Sequence, residues 1–184
     1  MPSPPGWRWT ACWRWPERVH DRNPVRLQTL RIHLIAVGHR MPHWVTEGYQ
    51  DYAKRLPPEC RLLLREIAPG KRAKNADLAR IRWEEGERIL AALSPDEHVI
   101  ALEVGGKAWS TESLAENIGR WMRDGRRIAL LAGGPEGLSD ACRERAHEQW
   151  SLSPLTLPHP IVRIIVAEQI YRAWSWLNHH PYHR

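Results

Sequence analysis

Three glycines fall within five residues at Gly133-Gly134-Pro135-Glu136-Gly137, directly after the apolar run Ile128 to Leu131. Glycine admits positive φ and lets a ligand approach backbone amides, so this loop either cradles a ligand or simply turns the chain. It carries neither the Gly-x-Gly-x-x-Gly fingerprint of a dinucleotide site nor the Gly-x-x-x-x-Gly-Lys-Ser/Thr of a P-loop. Further on, Ser153-Pro154-Leu155-Thr156-Leu157-Pro158-His159-Pro160 forms a proline-bounded apolar loop that is stiff and dry. Such a loop can line a pocket for an adenine, whose flat face wants apolar contacts and whose edge wants backbone hydrogen bonds. Taken alone it is also an ordinary connection, and His159 is as readily a capping or packed histidine as a catalytic one.

Two other stretches carry charge. Gly70-Lys71-Arg72-Ala73-Lys74-Asn75 places three cations before a helix start, where the helix end itself attracts anions. A solvated loop and an RNA contact both fit it. The chain ends in Asn178-His179-His180-Pro181-Tyr182-His183-Arg184, a mixture of aromatic, imidazole and guanidinium groups that suits base stacking and phosphate contact. Its histidines have no acidic or cysteine companion at a structural-zinc spacing, so no metal is expected.

The elements that must position these groups read as α/β. From Arg31 onward, short β-branched or leucine-rich runs alternate with amphipathic segments of about 12 to 18 residues, the pattern of a mostly parallel sheet flanked by helices. Strands are expected at 31–37, 61–67, 98–102, 128–131 and near 150–152. Helices are expected at 42–55, at 76–93 behind an Asn75 cap, at 111–123 behind a Ser110 cap, at 140–148 and at 160–177. In the last helix Ile161, Val162, Ile164, Ile165 and Val166 cover more than one face, which points either to a subunit interface or to burial within its own domain.

At 184 residues with 42% hydrophobic content, one sizeable core is expected. No apolar stretch reaches the roughly 18 to 20 residues a membrane helix needs, and the chain reads as cytoplasmic. Cys12, Cys60 and Cys142 form no Cys-x-x-Cys pair and read as structural thiols. The net charge of +6 favours a polyanionic partner. Residues 1–30 hold Trp7, Trp9, Trp13 and Trp15 and a net +3, without helical or strand periodicity. They form a separate extension ahead of a single domain at 31–184, either an RNA-gripping arm or an over-extended reading frame whose start lies near Leu30. Met41 cannot be that start, because beginning there would delete the first strand.

Taken together and in order, these stretches resemble the RlmH family of SPOUT methyltransferases. The resemblance runs from about Leu30 to Arg184. It includes Met41-Pro42-x-Trp44-Val45, Pro69-Gly70-Lys71-Arg72-x-Lys74-Asn75-Ala76-Asp77, the glycine loop, Leu155 to Pro160, Ala167-Glu168-Gln169-x-Tyr171-Arg172-Ala173 and His180 to Arg184. What it implies is a SPOUT-type sheet with a C-terminal trefoil knot, a homodimer, and S-adenosyl-L-methionine-dependent methylation of N3 of a pseudouridine in large-subunit (23S) ribosomal RNA on the assembled ribosome. The implied cofactor residues are Leu102, Glu103, Gly133, Gly134, Ser153, Pro154, Leu155, Thr156, Leu157 and Pro158. His159, Tyr182, His183 and Arg184 are expected around the target base, with Lys71, Arg72, Lys74 and Arg172 on RNA. The first thirty residues have no counterpart in the family. A non-catalytic RNA-binding protein of the same fold is the alternative, and a nucleotide-dependent oxidoreductase is disfavoured by the missing dinucleotide fingerprint.

Overall fold

A computed structural model describes residues 29–72 and 76–183. Most of the extension, with Cys12, and also Lys74, Asn75 and Arg184 lie outside the described residues. Five strands, β1 Leu30–Val37, β2 Cys60–Ile67, β3 Glu97–Ala108, β4 Arg127–Ala132 and β5 Glu148–Ser151, alternate with five helices. The helices are α1 His43–Ala53, α2 Leu78–Ala91, α3 Thr111–Asp124, α4 Asp140–Arg145 and α5 His159–Leu177, followed by a 3-10 turn at Pro181–His183. The sheet is wholly parallel in the order β2-β1-β4-β3-β5.

Alternate residues of one strand feed two cores, because side chains point to opposite faces with period two. Leu34, Ile128 and Leu130 join Trp121, Val166 and Ile170 on the face covered by α1, α3 and α5. Ile35, Ala129 and Leu131 join Ile89, Leu138 and Cys142 on the face covered by α2 and α4. With both faces covered, β1 and β4 read as near-continuous apolar runs. Truncating Leu34 or Leu130, each fully buried, to alanine would cost about 2–5 kcal/mol.

The chain leaves β1 for α1 on one face and β4 for α4 on the other, while β3 and β5 lead to α3 and α5. The crevice at the carboxyl end of β4 is therefore bordered on both sides by diverging connections, which is where parallel sheets bind ligands.

Several boundaries differ from the sequence reading. α2 begins at Leu78, two residues late, because Asp77 is the cap, its Oδ1 accepting the amides of Ala79 and Arg80 at 3.0 and 3.1 Å. An ionised carboxylate at that position also complements the helix dipole. Strand β3 runs on to Ala108: it separates from β5 after Leu102, bulges over Glu103–Gly106, and rejoins at Lys107. Period-two patterning is lost across that bulge, so the extension is invisible in sequence. α4 stops at Arg145 because Ala146 turns extended and the His147 amide bonds the Val99 carbonyl at 2.8 Å, drawing the chain into β5 early.

On α5, Ile164 packs on Gly48 of α1, where a Cβ would fall 2.9 Å from Ile164 Cδ1. Ile161 and Ile165 stay half-exposed, and Trp44 on α1 is exposed. The apolar run thus divides between its own domain and an open face. Cys60 and Cys142 are buried and free. Burial pushes the Cys60 thiol up to about 12 and raises that of Cys142 as well, so neither is a ready nucleophile.

Candidate active site

A cavity of about 490 Å³ opens at the carboxyl ends of β3, β4 and β5. One wall is Leu102, Glu103 and Val104, where β3 bulges. A second is Ala132 through Pro135 with Gly137 and Leu138; a third runs from Leu152 and Ser153 through Leu155–Pro158 to His159. Trp150 and Val162 complete the lining.

Its shape is set by backbone. The Gly137 amide bonds the Gly134 carbonyl at 2.9 Å, and Gly137 has a φ of +76°, so the loop folds back on itself. A Cβ on Gly133 would lie 2.4 Å from the Gly137 carbonyl carbon, which only glycine avoids. Across the cavity, Ser151 Oγ donates to the Val104 carbonyl at 3.0 Å, fastening the β3 bulge to the end of β5. Ser153 Oγ accepts the Leu155 amide at 3.0 Å, a local turn that shapes the start of the apolar loop. Behind it Trp150 stacks on Trp109 with ring centres 5.0 Å apart.

His159, the first residue of α5, stands at the rim. Its basicity is lowered, chiefly by burial and further by the Arg163 and Arg72 guanidiniums, with Glu85 acting in the opposite sense. The imidazole is therefore neutral at neutral pH and free to accept a proton. Arg163 is itself buried, donating to Glu66 at 2.6 Å and to the Gly38 carbonyl at 2.7 Å. Arg72 bonds Glu136 of the glycine loop at 2.9 Å, which ties the cationic loop to the cavity's edge.

A second cluster lies along α5 at Glu168. Its Oε1 accepts from Tyr182 Oη at 3.1 Å and from Arg172 Nε at 2.8 Å. The Tyr182 ring packs on Tyr171 at 4.7 Å, and the Arg172 guanidinium covers it at 5.0 Å. Burial, then a hydrogen bond with Tyr52 and the Glu168 charge, push the Tyr182 phenol well above its ordinary range, so it stays protonated.

The family described as "Predicted SPOUT methyltransferase" matches residues 30–183 of this chain. It belongs to the SPOUT methyltransferase family. Three proteins named "Ribosomal RNA large subunit methyltransferase H" are close relatives. That of Methylococcus capsulatus is 63% identical over 155 residues, covering 84% of this chain and 100% of its own length. Those of Thioalkalivibrio sulfidiphilus and Hahella chejuensis are 61% and 57% identical over 155 residues, each covering 84% of this chain and 99% of their own. The family match starts at residue 30, so the tryptophan-rich extension falls outside it.

In this SPOUT methyltransferase, nine of the ten residues expected at the cofactor share one cavity: Leu102, Glu103, Gly133, Gly134, Ser153, Leu155, Thr156, Leu157 and Pro158. Pro154 is exposed and outside the lining. His159 joins them, but Tyr182 does not. Glu168 stands nine residues after His159 on α5, about 13 Å along the axis at 1.5 Å per residue. One chain therefore does not gather His159 and Tyr182 around a single point. His183 closes the 3-10 turn. Lys71 is exposed, while Arg72 and Arg172 are both held in ion pairs.

Sequence reasoning missed Val104, Ser151 and Trp150. The pair Gly105-Gly106 marks a break after an apolar strand, but nothing local tells a bulge from the strand's end. Among the described residues no group of three or more His, Cys, Asp or Glu could hold a metal, and no helix is long and apolar enough to cross a membrane.

Proposed function

We propose that this chain transfers the methyl group of S-adenosyl-L-methionine to N3 of a pseudouridine in large-subunit ribosomal RNA, in the cytoplasm, on the assembled ribosome and as a homodimer. One observation carries the reading: a backbone-shaped, largely apolar cavity at the carboxyl edge of β4 with a neutral imidazole at its rim. The size suits the donor, since sites for such ligands measure about 300–1,000 Å³. Leu102, Leu155 and Leu157 offer apolar surface for the adenine, and the Gly133–Gly134 backbone admits close approach.

When bound, S-adenosyl-L-methionine supplies a methyl group already activated by a positive sulfur. The chain's own task is to hold the target base in line and to receive its N3 proton. His159 accepts that proton, and the protonated Tyr182 serves as a donor rather than a base. Lys71, Arg72 and Arg172 meet RNA phosphates; Lys74, expected on RNA, and Arg184, expected at the target base, lie outside the described residues. We read the C-terminal segment as threaded into the family's trefoil knot, and residues 1–30 as an extension that the domain does not require.

A second copy reconciles the separation of His159 from the tail. Ile161, Ile165 and Trp44 offer the open apolar face such a pair would bury, and the partner's tail would then approach this chain's cavity. Mixing His159→Gln chains with chains truncated after Pro181 tests it: each alone is inactive, and heterodimers regain one complete site. No recovery after confirmed subunit exchange would defeat the shared site.

Nucleoside mass spectrometry of ribosomal RNA from a strain lacking the protein tests the reaction as a whole. Loss of one methylated pseudouridine is expected, and an unchanged nucleoside profile overturns the proposal. Calorimetric titration with S-adenosyl-L-methionine separates an enzyme, which binds it, from a pure RNA-binding module, which does not.

A further inference from the structure

Helix α2 carries one buried carboxylate that the proposed mechanism leaves idle. Glu85 is 1% exposed. Its Oε1 accepts the Gly70 amide at 2.8 Å, while the buried Oε2 has no hydrogen-bond partner among the described residues. Burying an ionised oxygen without a partner is costly, so a charge kept there calls for a reason.

The free oxygen is aimed at the glycine loop. A Cβ built on Gly134 would fall 2.7 Å from Glu85 Oε2 and 3.2 Å from Val37 Cγ1, so the carboxylate lies against Gly134 beside the end of β1. From the other side of the sheet, His159 reaches the next residue of the chain. A Cβ on Gly38 would meet His159 Nε2 and Arg163 Nη2, each at 3.4 Å. Glu85 and His159 thus converge on Val37 and Gly38 at the crevice between β1 and β4.

The charged groups facing His159 come from three elements: Arg163 on α5, Arg72 from the loop after β2, and Glu85 on α2. Arg163 is paired with Glu66 and Arg72 with Glu136. An imidazolium formed here meets two guanidiniums that oppose it and one carboxylate that favours it. Glu85 is the only carboxylate of the three, and its Oε2 has no hydrogen-bond partner among the described residues.

We propose that Glu85 is a positioning residue for methyl transfer, a buried negative charge behind the glycine loop that stabilises the His159 imidazolium as the imidazole takes the N3 proton. The inference rests on the reading of His159 as proton acceptor. The proton passes from N3 to an imidazole nitrogen, and the N–H electron pair stays on N3 for the incoming methyl. Glu85 itself neither gains nor loses a proton.

Glu85→Gln keeps the Gly70 hydrogen bond and the side-chain volume but removes the charge. In the full chain labelled at histidine, the NMR titration midpoint of His159 is expected to fall in this variant, because the group favouring protonation is gone. In methylation of ribosomal subunits the acid limb of the pH–rate profile should move to lower pH by the same amount, while the plateau falls severalfold as the base weakens. Affinity for S-adenosyl-L-methionine should not change. Glu85→Asp keeps the charge but draws it back, so its midpoint should lie between those of the wild type and Glu85→Gln.

An unmoved His159 midpoint in Glu85→Gln, or a rate loss equal at every pH, overturns the proposal. If Glu85→Gln does not fold, Glu85→Asp decides alone, by a lowered midpoint or an unchanged one. The His159 reading fails separately: full activity in His159→Gln would refute it, while the titration would still score the charge coupling.

Discussion

Around the cavity, position is fixed by main chain: Gly133 admits no Cβ, Gly137 needs positive φ, and the prolines of 153–160 restrict the opposite wall. Around Glu168, position is fixed by side chains: one carboxylate gathers Tyr182 and Arg172, and the rings of Tyr171 and Tyr52 pack on Tyr182. The first region takes its shape from backbone constraints. The second is a set of charge-assisted contacts at the chain's end that a polyanion can compete for. On the proposed function, the cofactor falls to the first kind of construction and the RNA to the second.

The sharpest break is Gly133→Ala. A Cβ against the Gly137 carbonyl carbon must displace backbone, so cofactor affinity is expected to drop by roughly 100-fold, about 2.7 kcal/mol, read by calorimetry, with the circular dichroism spectrum retained. Removing residues 182–184 attacks the other region: methylation should vanish while cofactor affinity stays at the wild-type value, and full activity would eliminate the tail's role. Glu168→Gln is milder. It weakens charge-assisted bonds that contribute about 1.5–3 kcal/mol each, so Tm should fall and methylation should decline by roughly tenfold, again without change in cofactor binding.

The smallest effect concerns pH. Burial and two guanidiniums lower the His159 midpoint below its ordinary 6.5, so the unfolded chain binds this proton at higher pH than the folded one. The stability that the neutral imidazole preserves is complete above 6.5 and is lost as pH falls from there toward the folded midpoint. His159→Gln should therefore flatten this part of the acid decline in Tm. An identical slope in both proteins would refute the assignment of a lowered basicity.

Legibility followed the same divide. The glycine loop and the Ser153–Pro160 loop could be read because glycine and proline constrain the backbone wherever they occur. The β3 bulge could not, since Glu103 to Gly106 have no periodicity and take their conformation from β5. Asn75 was an equally good cap by type, and Asp77 took the role. Glu85 sits in α2 like any surface glutamate, and nothing local distinguishes it from the exposed Glu87 two residues on.

The order of strands and helices, the parallel class of the sheet, the glycine and proline-bounded loops and the family were all determined by the sequence itself, because each rests on local backbone preference or on residue order. Tertiary structure alone decided which face each helix covers, that the charges of two guanidiniums and a buried carboxylate act on His159, and that Tyr182 is held apart from the cavity. These depend on residues far apart in the chain meeting across the sheet, and a Coulomb interaction is set by that distance and its burial, not by separation in sequence.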